Sequence, residues 1–338
     1  MLLLLIFGRD LIVPAVQKAI ASAAADAMVT AWQNMVPAQV GVSSGLLTNV
    51  THNRRSGVSP YVSSTTIDPH MAVLRVDDQN GSPIATAWNY ACHGTCYGPD
   101  NLQSSGDILG VANAQIEEQL GGVALFLQAD AGDVSPTGEA CSGKPVMAGG
   151  VTMGNAAMVF RSQATTFASG QLTTSYSRLD LGQGAMDWSL ARNENCTSGG
   201  PLDICSICEK MNCTASLAGG QSWLEETPRL NSVRLDLGGS SSVFITAPVE
   251  AIVEYGWWIR NATADMGFAT TFFMGYTNAY DMYLCTPNEW ELIPNGYECS
   301  LNLWGVDESS VFYNAQYSLL KAVAPPPHLA TPNSRQRA

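Results

Sequence analysis

Two apolar runs of the chain each lead into side chains that could do chemistry. The run at residues 84–92 ends at His93, and the run at residues 123–128 is followed by Asp133 and Ser135. In α/β proteins, the loops that follow buried strands meet at one edge of a sheet and carry catalytic and binding residues. The spacing therefore predicts an enzyme whose site is built at strand ends.

Two later segments repeat this arrangement. Glu250 follows the strand predicted at residues 242–246, and a tyrosine-rich segment that contains Tyr283 follows the strand predicted at residues 270–274. Each segment has a structural interpretation too, because a glutamate after a proline suits the first turn of a helix and loop tyrosines often pack. A lone histidine is usually structural, and an aspartate shortly before a serine and a proline is an ordinary turn pattern. The argument for chemistry rests on all four segments together.

The elements that must position these segments alternate between strands and helices. The pattern predicts helices over residues 11–35, 106–120, 153–168 and 249–260, and strands over residues 71–76, 84–92, 123–128, 172–181, 232–237, 242–246 and 270–274. Such alternation, with a hairpin at residues 71–92, predicts an α/β fold of mixed β-sheets with flanking helices. Because no linker divides the chain, we predict a single catalytic domain over residues 1–322 and a disordered tail over residues 323–338.

Composition limits the possible functions. The chain has 338 residues, of which 46% are hydrophobic and 13% charged, and its net charge is −13. A large core is therefore possible, while the charge balance disfavours direct binding to nucleic acid or to an anionic membrane. No apolar stretch reaches the roughly 20 residues that a membrane-spanning helix needs.

The nine cysteines point to an oxidising compartment. Four of them, Cys196, Cys205, Cys208 and Cys213, crowd into an insertion at about residues 195–214. Without a histidine, and with two glycosylation sequons, this segment favours two disulfides, although a zinc knuckle stays possible. Cys285 and Cys299 form a plausible further pair, and an odd total leaves at least one thiol free or paired outside the chain. Five sequons in all give mild support for a secreted glycoprotein.

Taken in order, the segments resemble the neutral/alkaline, non-lysosomal ceramidase family. The matching stretches are residues 53–55, 68–75, 91–95, 105–110, 132–136, 248–250 and 277–298. The sequence Gly-Asp-Val-Ser-Pro at residues 132–136 is the most specific of them, together with the His-Gly-Thr stretch that begins at His93. The resemblance covers about residues 15–305 and implies a catalytic domain of the neutral ceramidase type.

The resemblance also implies a zinc site. In that family a zinc ion is held by two histidines, a glutamate and a tyrosine, and the matching positions here are His93, Glu250 and Tyr283. Zinc with an open position acidifies its bound water and polarises a carbonyl group. Asp107 could orient His93 by accepting a hydrogen bond from the ring nitrogen that does not bind zinc.

Four further positions take roles from the same resemblance. Ser135 and Asp133 match the active-site serine and its neighbouring acid, so Asp133 could take a proton from water while Ser135 orients the amide or acts on it. Arg54 and Tyr297 match the residues that contact the substrate amide, where they could stabilise the charge that builds on its oxygen.

The amino terminus departs from the family pattern. The family's first zinc histidine precedes the first long helix, whereas here only about ten residues precede it, and the other histidines, His52, His70 and His328, match no ligand position. We therefore expect an N-terminally truncated chain that lacks the first strand and the first zinc-histidine motif, with weak zinc binding. The apolar stretch at residues 1–7 lacks the basic start and the length of a signal peptide.

These observations predict a zinc-dependent amidohydrolase that cleaves the amide bond of ceramide, N-acylsphingosine, to sphingosine and a fatty acid. The alternative is a catalytically impaired or truncated relative that binds lipid or a partner protein. A third possibility is a metal-independent serine hydrolase that uses Ser135. The expected partners are ceramide or a related N-acyl lipid and, only transiently, a membrane surface, without nucleic acid. The expected location is secreted, extracellular or lumenal.

Overall fold

The computed structural model describes residues 14–58, 60–181, 227–293, 296–302 and 304–330. The chain groups into two compact units, Met1–Pro37 with Asp187–Trp223, and Ala38–Met186 with Leu224–Ala338. All seven predicted site residues lie in the second unit. The four-cysteine insertion at about residues 195–214 lies outside the described residues. The single catalytic domain over residues 1–322 stays a prediction, as does the tail over residues 323–338.

The first unit contributes one described helix, α1 (Pro14–Gln33). It confirms the predicted helix, although it ends two residues earlier than expected. Its apolar side chains Val16, Ile20 and Trp32 are 53%, 65% and 72% exposed. Across the described ranges, no helix combines the length and apolar character needed to cross a bilayer.

The second unit contains the remaining elements. Its strands are β1 (Ala38–Leu46), β2 (Thr51–Asn53), β3 (His70–Asp78), β4 (Pro83–Tyr90), β5 (Val123–Gln128), β6 (Val134–Pro136), β7 (Gln171–Arg178), β8 (Arg229–Leu237), β9 (Ser240–Thr246), β10 (Glu250–Ala251), β11 (Thr270–Met274) and β12 (Tyr283–Leu284). Its helices are α2 (Asp107–Leu120), α3 (Ala148–Gln163), α4 (Val253–Asp265), α5 (Pro287–Leu292), α6 (Tyr297–Ser300) and α7 (Glu308–Ala322). This content confirms the predicted α/β class.

Two four-stranded mixed sheets share one topology. The first has the order β1-β3-β4-β5 and the second the order β7-β8-β9-β11, each written from the same end. In both sheets the first three strands are antiparallel, and a helix then leads into a last strand that runs parallel to the third. The carboxyl ends of β4 and β5, and of β9 and β11, are therefore the places where loops can meet.

One buried amide connects the two sheets. The side chain of Asn89, on β4, donates to the carbonyl oxygens of Leu127 at 2.8 Å and Phe273 at 2.7 Å. These acceptors lie on β5 and β11, one residue before each strand ends. The backbone continues the connection, because Gly275 N–H donates to the carbonyl of Gln128 at 3.0 Å. The ends of three strands are thus held together.

Two disulfides cross-link loops of the described chain. Cys285 and Cys299 are bonded, which confirms the predicted pair. Cys96 and Cys141 form a second bond that was not predicted, and it connects the loop after His93 with the loop after β6. Cys92 is a free and buried thiol.

Three predicted elements need correction. The helix predicted at residues 153–168 is α3, which begins five residues earlier and ends at Gln163. The helix predicted from residue 249 begins at Val253, because Glu250 and Ala251 pair as strand β10. The strand β5 is also less buried than expected, since Val123 and Leu125 are 52% and 50% exposed.

Residues 41–45, Gly-Val-Ser-Ser-Gly, match the G-x-S-x-G pattern of hydrolase nucleophiles, but they are ordinary strand. They lie within β1, and the Ser43 hydroxyl donates to the carbonyl oxygen of Phe160 on α3 at 2.6 Å. A serine committed to a structural hydrogen bond in a strand is not a nucleophile on a strand-to-helix turn.

A matched pair of glycines tests how closely α4 packs on the strand ends. A Cβ added to Gly256, on α4, would lie 1.9 Å from Oδ2 of Asp130, whereas one added to Gly110, on α2, meets nothing within 4 Å. We expect Gly110→Ala to stabilise the fold by up to about 1 kcal/mol through helix propensity. Gly256→Ala should instead destabilise it by roughly 1–3 kcal/mol through overpacking. Urea unfolding would measure both, and equal effects of the two substitutions would contradict the packing described.

Candidate functional site

Five of the seven predicted site residues follow strand ends of the two four-stranded sheets, whereas Arg54 follows β2 and Tyr297 opens α6. His93 lies three residues beyond β4, and Ser135 lies on β6, beyond β5. Glu250 opens β10, beyond β9, and Tyr283 opens β12, beyond β11. The common topology of the sheets explains why segments so distant in sequence meet in one place.

His93 and Glu250 are in direct contact. Nε2 of His93 lies 3.0 Å from Oε2 of Glu250, and Nδ1 lies 3.0 Å from the carbonyl oxygen of Val134. A carbonyl oxygen only accepts, so Nδ1 carries a hydrogen. In the neutral ring Nε2 is then an acceptor that faces another acceptor, the Glu250 carboxylate. This contact requires either a second proton on the ring or a cation between the two atoms.

The remaining oxygen of Glu250 is held by tyrosines. The hydroxyl of Tyr280 donates to Oε1 of Glu250, and the rings of Tyr276 and Tyr280 stack with centroids 5.8 Å apart. Burial alone would raise the pKa of Glu250, but hydrogen bonds from His93, Tyr280 and Tyr276 lower it overall. Glu250 is therefore held as a carboxylate, with one oxygen turned toward His93.

Tyr283 lies beside Glu250 because β10 and β12 are parallel and pair Glu250 with Tyr283 in register. Residues paired in this way place their side chains on one face of the ribbon. Nη2 of Arg54 donates to the Tyr283 hydroxyl at 3.1 Å. Burial, followed by the charge of Glu250, raises the pKa of the Tyr283 phenol, so the hydroxyl keeps its proton in the absence of a stronger cation.

Arg54 is fixed by a buried glutamate. Nε of Arg54 donates to Oε1 of Glu298 at 2.9 Å, and Nε of Arg55 donates to Oε2 at 2.6 Å. Nη2 of Arg54 also donates to the carbonyl oxygen of Gly132 at 2.6 Å. The ring of Tyr297 is 5.7 Å from the Arg54 guanidinium carbon, and 38% of this tyrosine is exposed. Arg54 and the accessible ring of Tyr297, the two residues predicted to contact the substrate amide, are therefore neighbours.

Asp133 is buried and hydrogen-bonded through both oxygens. Nδ2 of Asn53 donates to Oδ2 at 2.6 Å, and the N–H of Val253 donates to Oδ1 at 2.9 Å. Burial raises the pKa of Asp133 to about 6, although both of these hydrogen bonds oppose the rise. Asp133 therefore exchanges its proton close to neutral pH and at the same time anchors the start of α4.

Ser135 is half-buried on β6, where the antiparallel register pairs it with His52 on β2. Among the described contacts, no hydrogen bond of its hydroxyl group is found. Unlike Ser43, this serine is not committed to a structural partner.

Asp107 does not orient His93, so that prediction is wrong. Its carboxylate accepts hydrogen bonds from the backbone N–H groups of Cys96 at 3.2 Å, Tyr97 at 2.9 Å and Ile108 at 2.6 Å. It organises the turn into α2, while the carbonyl of Val134 takes the orienting role toward His93.

Three residues with a part in the site were missed in the sequence. They are Asn53, which holds Asp133, Tyr280, which holds Glu250, and Glu298, which holds Arg54. Asn53 and Glu298 are adjacent in sequence to the predicted residues Arg54 and Tyr297, and Tyr280 is three residues from Tyr283. All three lie within the stretches that resemble the ceramidase family. Their side chains gained a role only once the pairing of distant segments was known.

The donor set fits a zinc ion in part. An imidazole nitrogen and a carboxylate oxygen are zinc ligands, and two atoms each about 2 Å from one tetrahedral ion lie about 3.3 Å apart. The 3.0 Å between His93 and Glu250 is close to that spacing, and the phenol of Tyr283 lies in the adjoining strand. Within the part of the chain that the structure describes, no group of three or more His, Cys, Asp or Glu side chains is arranged to hold a metal.

Comparisons with known proteins agree on one family. Residues 12–170 match the family model for neutral/alkaline non-lysosomal ceramidase, N-terminal. Neutral ceramidase B of Dictyostelium discoideum is 33% identical over 130 residues, which are 32% of this chain and 18% of that protein. Neutral ceramidase A of the same organism is 31% identical over 143 residues, which are 35% of this chain and 20% of that protein.

Solved structures show the same fold. The neutral ceramidase from Pseudomonas aeruginosa superimposes with a TM-score of 0.61 at 21% identity, over 85% of this chain and 52% of that one. A ceramidase complexed with C2 gives a TM-score of 0.62 at 20% identity, over 88% of this chain and 56% of that one. The chain thus spans about half the length of these structures and about a fifth of the curated relatives that it matches.

The buried carboxyl group of Asp133 makes a pH-dependent prediction. Its pKa is about 6 in the fold and about 3.9 in an unfolded chain, so the folded protein binds more protons between these values. The native protein should therefore lose about 2 kcal/mol of stability, through this group, as the pH rises from 4 to 7.

Asp133→Asn cannot lose that proton. The variant should have a lower free energy of unfolding than the native protein, measured with urea in the presence of a chelator. The difference between the two proteins should become smaller from pH 4 to pH 7, by the amount of stability that the native protein loses. Other titrating groups cancel in the comparison. A difference that is the same at both pH values would contradict the assignment.

Proposed function

Because the chain belongs to the neutral/alkaline non-lysosomal ceramidase family, we propose that it is a zinc-dependent amidohydrolase. Its reaction would be the cleavage of the amide bond of ceramide, N-acylsphingosine, to sphingosine and a fatty acid. The observation that carries the proposal is the contact between Nε2 of His93 and Oε2 of Glu250. Of the two ways to satisfy this contact, a second proton on the imidazole or a cation between the two atoms, the proposal takes the cation, and Tyr283 adds an oxygen beside them.

His93, Glu250 and Tyr283 would hold the zinc ion. When bound, zinc supplies a Lewis acid that polarises the amide carbonyl and lowers the pKa of a bound water molecule. The protein's own part is to fix the ligands. The carbonyl of Val134 sets the tautomer of His93, and Tyr280 sets the rotation of Glu250.

The other site residues would transfer a proton, stabilise charge on the amide oxygen and orient the amide. Asp133, with a pKa of about 6, can take up a proton near neutral pH and return it to the leaving amine. Arg54 and Tyr297 carry hydrogen-bond donors that can stabilise negative charge on the amide oxygen. Ser135, with an uncommitted hydroxyl group, can orient the amide. Glu298 keeps Arg54 in place by a buried ion pair at 2.9 Å.

A second candidate is a family member with impaired catalysis that binds lipid or a partner protein on the same scaffold. It is favoured by one observation: the described residues bring together only His93 and Glu250, and no third histidine, cysteine or acid, at the metal position. Metal content separates the two candidates, because only the enzyme requires zinc near one ion per chain.

The partners and location follow from the same proposal. We expect a ceramide-type lipid as substrate, taken from a membrane surface that the protein contacts only transiently. The net charge of −13 disfavours nucleic acid and stable adsorption to anionic lipid. The disulfides Cys96–Cys141 and Cys285–Cys299 support a secreted, extracellular or lumenal location, where such bonds persist.

The direct test compares two histidine substitutions. His93→Ala removes a proposed ligand, and His328→Ala removes an exposed histidine outside the site. Loss of an orienting residue behind a ligand costs about 10–100-fold in metal affinity, so loss of a ligand should cost at least about 100-fold. We expect zinc binding, followed by calorimetry, and chelator-sensitive release of fatty acid from ceramide to be lost together in His93→Ala and kept in His328→Ala.

Two results would contradict the proposal. In one, His93→Ala binds zinc as tightly as the native protein. In the other, zinc binds through His93 and Glu250, but ceramide stays intact, which would favour the lipid-binding alternative.

A further inference from the structure

His52 is the cross-strand neighbour of Ser135. Strands β2 and β6 are antiparallel and pair His52 with Ser135 and Asn53 with Val134. The ladder continues by one residue, because the N–H of Arg54 donates to the carbonyl oxygen of Asp133 at 2.9 Å. Opposed residues in such a pair have Cβ atoms about 4.5–5.5 Å apart and point to the same face.

Burial distinguishes the two faces of this ribbon. Asn53 and Val134 are fully buried, whereas His52 and Ser135 are only partly buried and so share the open face. A serine hydroxyl and an imidazole are thus presented together.

The imidazole of His52 makes no hydrogen bond among the described residues. Its Nδ1 is buried and lacks a hydrogen-bond partner within the described part of the chain. The residue also lines a cavity of about 890 Å³, together with Thr51, Thr137 and Trp257. A buried ring nitrogen without a partner is costly, which is characteristic of functional positions. The cavity leaves room beside the ring for an acyl group, and the strand register places Ser135 next to His52.

We propose that Ser135 and His52 form a serine–histidine pair that hydrolyses activated acyl esters without a metal ion. The Ser135 hydroxyl attacks the ester carbonyl and transfers its proton to an imidazole nitrogen of His52. The new Oγ–C bond forms, the C–O bond to the alcohol breaks, and the alcohol leaves with the proton from His52. Water then attacks the acyl-serine, again giving its proton to His52, which returns it to Ser135 as the acid is released.

We assign the oxyanion to Arg54, because the hydrogen bonds of its side chain described above use Nε and Nη2 and none of them uses Nη1. None of the proposed zinc ligands takes part. The activity shares Ser135 with ceramide hydrolysis but does not depend on it, and chelation separates the two.

The test uses 4-nitrophenyl butyrate and the full chain in the presence of a chelator. We expect saturable ester hydrolysis that persists without metal, and labelling of Ser135 by a fluorophosphonate, located by peptide mass spectrometry. Ser135→Ala should abolish both. His52→Gln should lower kcat/KM by about 10²–10⁴-fold, the usual contribution of a general base.

A matched control and a rescue separate chemistry from structure. His70 lines the same cavity, but its Nδ1 is bonded to Oδ1 of Asp68 at 2.7 Å, so His70→Gln should retain the ester activity. Added imidazole should restore turnover to His52→Ala and leave Ser135→Ala inactive.

Three outcomes would overturn the proposal. They are the absence of ester hydrolysis once metal is chelated, unchanged turnover in a folded His52→Gln protein, and the absence of imidazole rescue in a folded His52→Ala protein. Because chelator is present throughout, none of these outcomes bears on zinc-dependent ceramide hydrolysis.

Discussion

The side-chain amide of Asn89 is the interaction on which the site depends. Its hydrogen bonds to Leu127 and Phe273 hold β5 and β11 against β4, just before each strand ends. Two backbone contacts complete the junction, as Gly132 N–H reaches the carbonyl of Ala251 at 2.8 Å and Gly275 N–H reaches Gln128. A Cβ on Gly132 would stand 2.8 Å from two carbonyl oxygens, so this approach requires glycine. Because the two sheets meet here, loops from both halves of the fold open onto one small volume.

The chemistry of that volume follows from an excess of acceptors in a buried place. Glu250, Asp133 and Glu298 are all largely buried, and each is compensated differently. Two arginine side chains neutralise Glu298, amide hydrogens stabilise Asp133 only in part, and Glu250 accepts a hydrogen bond from Tyr280 while its other oxygen faces Nε2 of His93. Buried charge without compensation costs several kcal/mol, so a cation between His93 and Glu250 would add compensation to this site. This surplus of acceptors is the physical basis of the proposed metal position.

The sequence could predict what depends on local pattern. Hydrophobic periodicity located the hairpin of β3 and β4, and the strands before His93 and Glu250, to within a few residues. It placed the start of α4 too early, because the apolar stretch after Pro248 fits a two-residue strand as well as a helical turn. Hydrophobic periodicity could not predict contacts between distant segments. Glu298 lies 244 residues from Arg54, and the Cys96–Cys141 bond joins loops whose proximity depends on the sheet order. The roles of the site residues came from the family resemblance rather than from spacing.

The central claim is that strand ends of both sheets converge to hold one zinc ion between His93 and Glu250. Its most direct test is an anomalous difference map at the zinc absorption edge from crystals grown with zinc. The account predicts one strong peak about 2.0–2.2 Å from Nε2 of His93 and from a carboxylate oxygen of Glu250, with the Tyr283 hydroxyl turned toward it. A map without a peak at this position, in which His93 and Glu250 keep their direct 3.0 Å contact while zinc binds elsewhere, would contradict it.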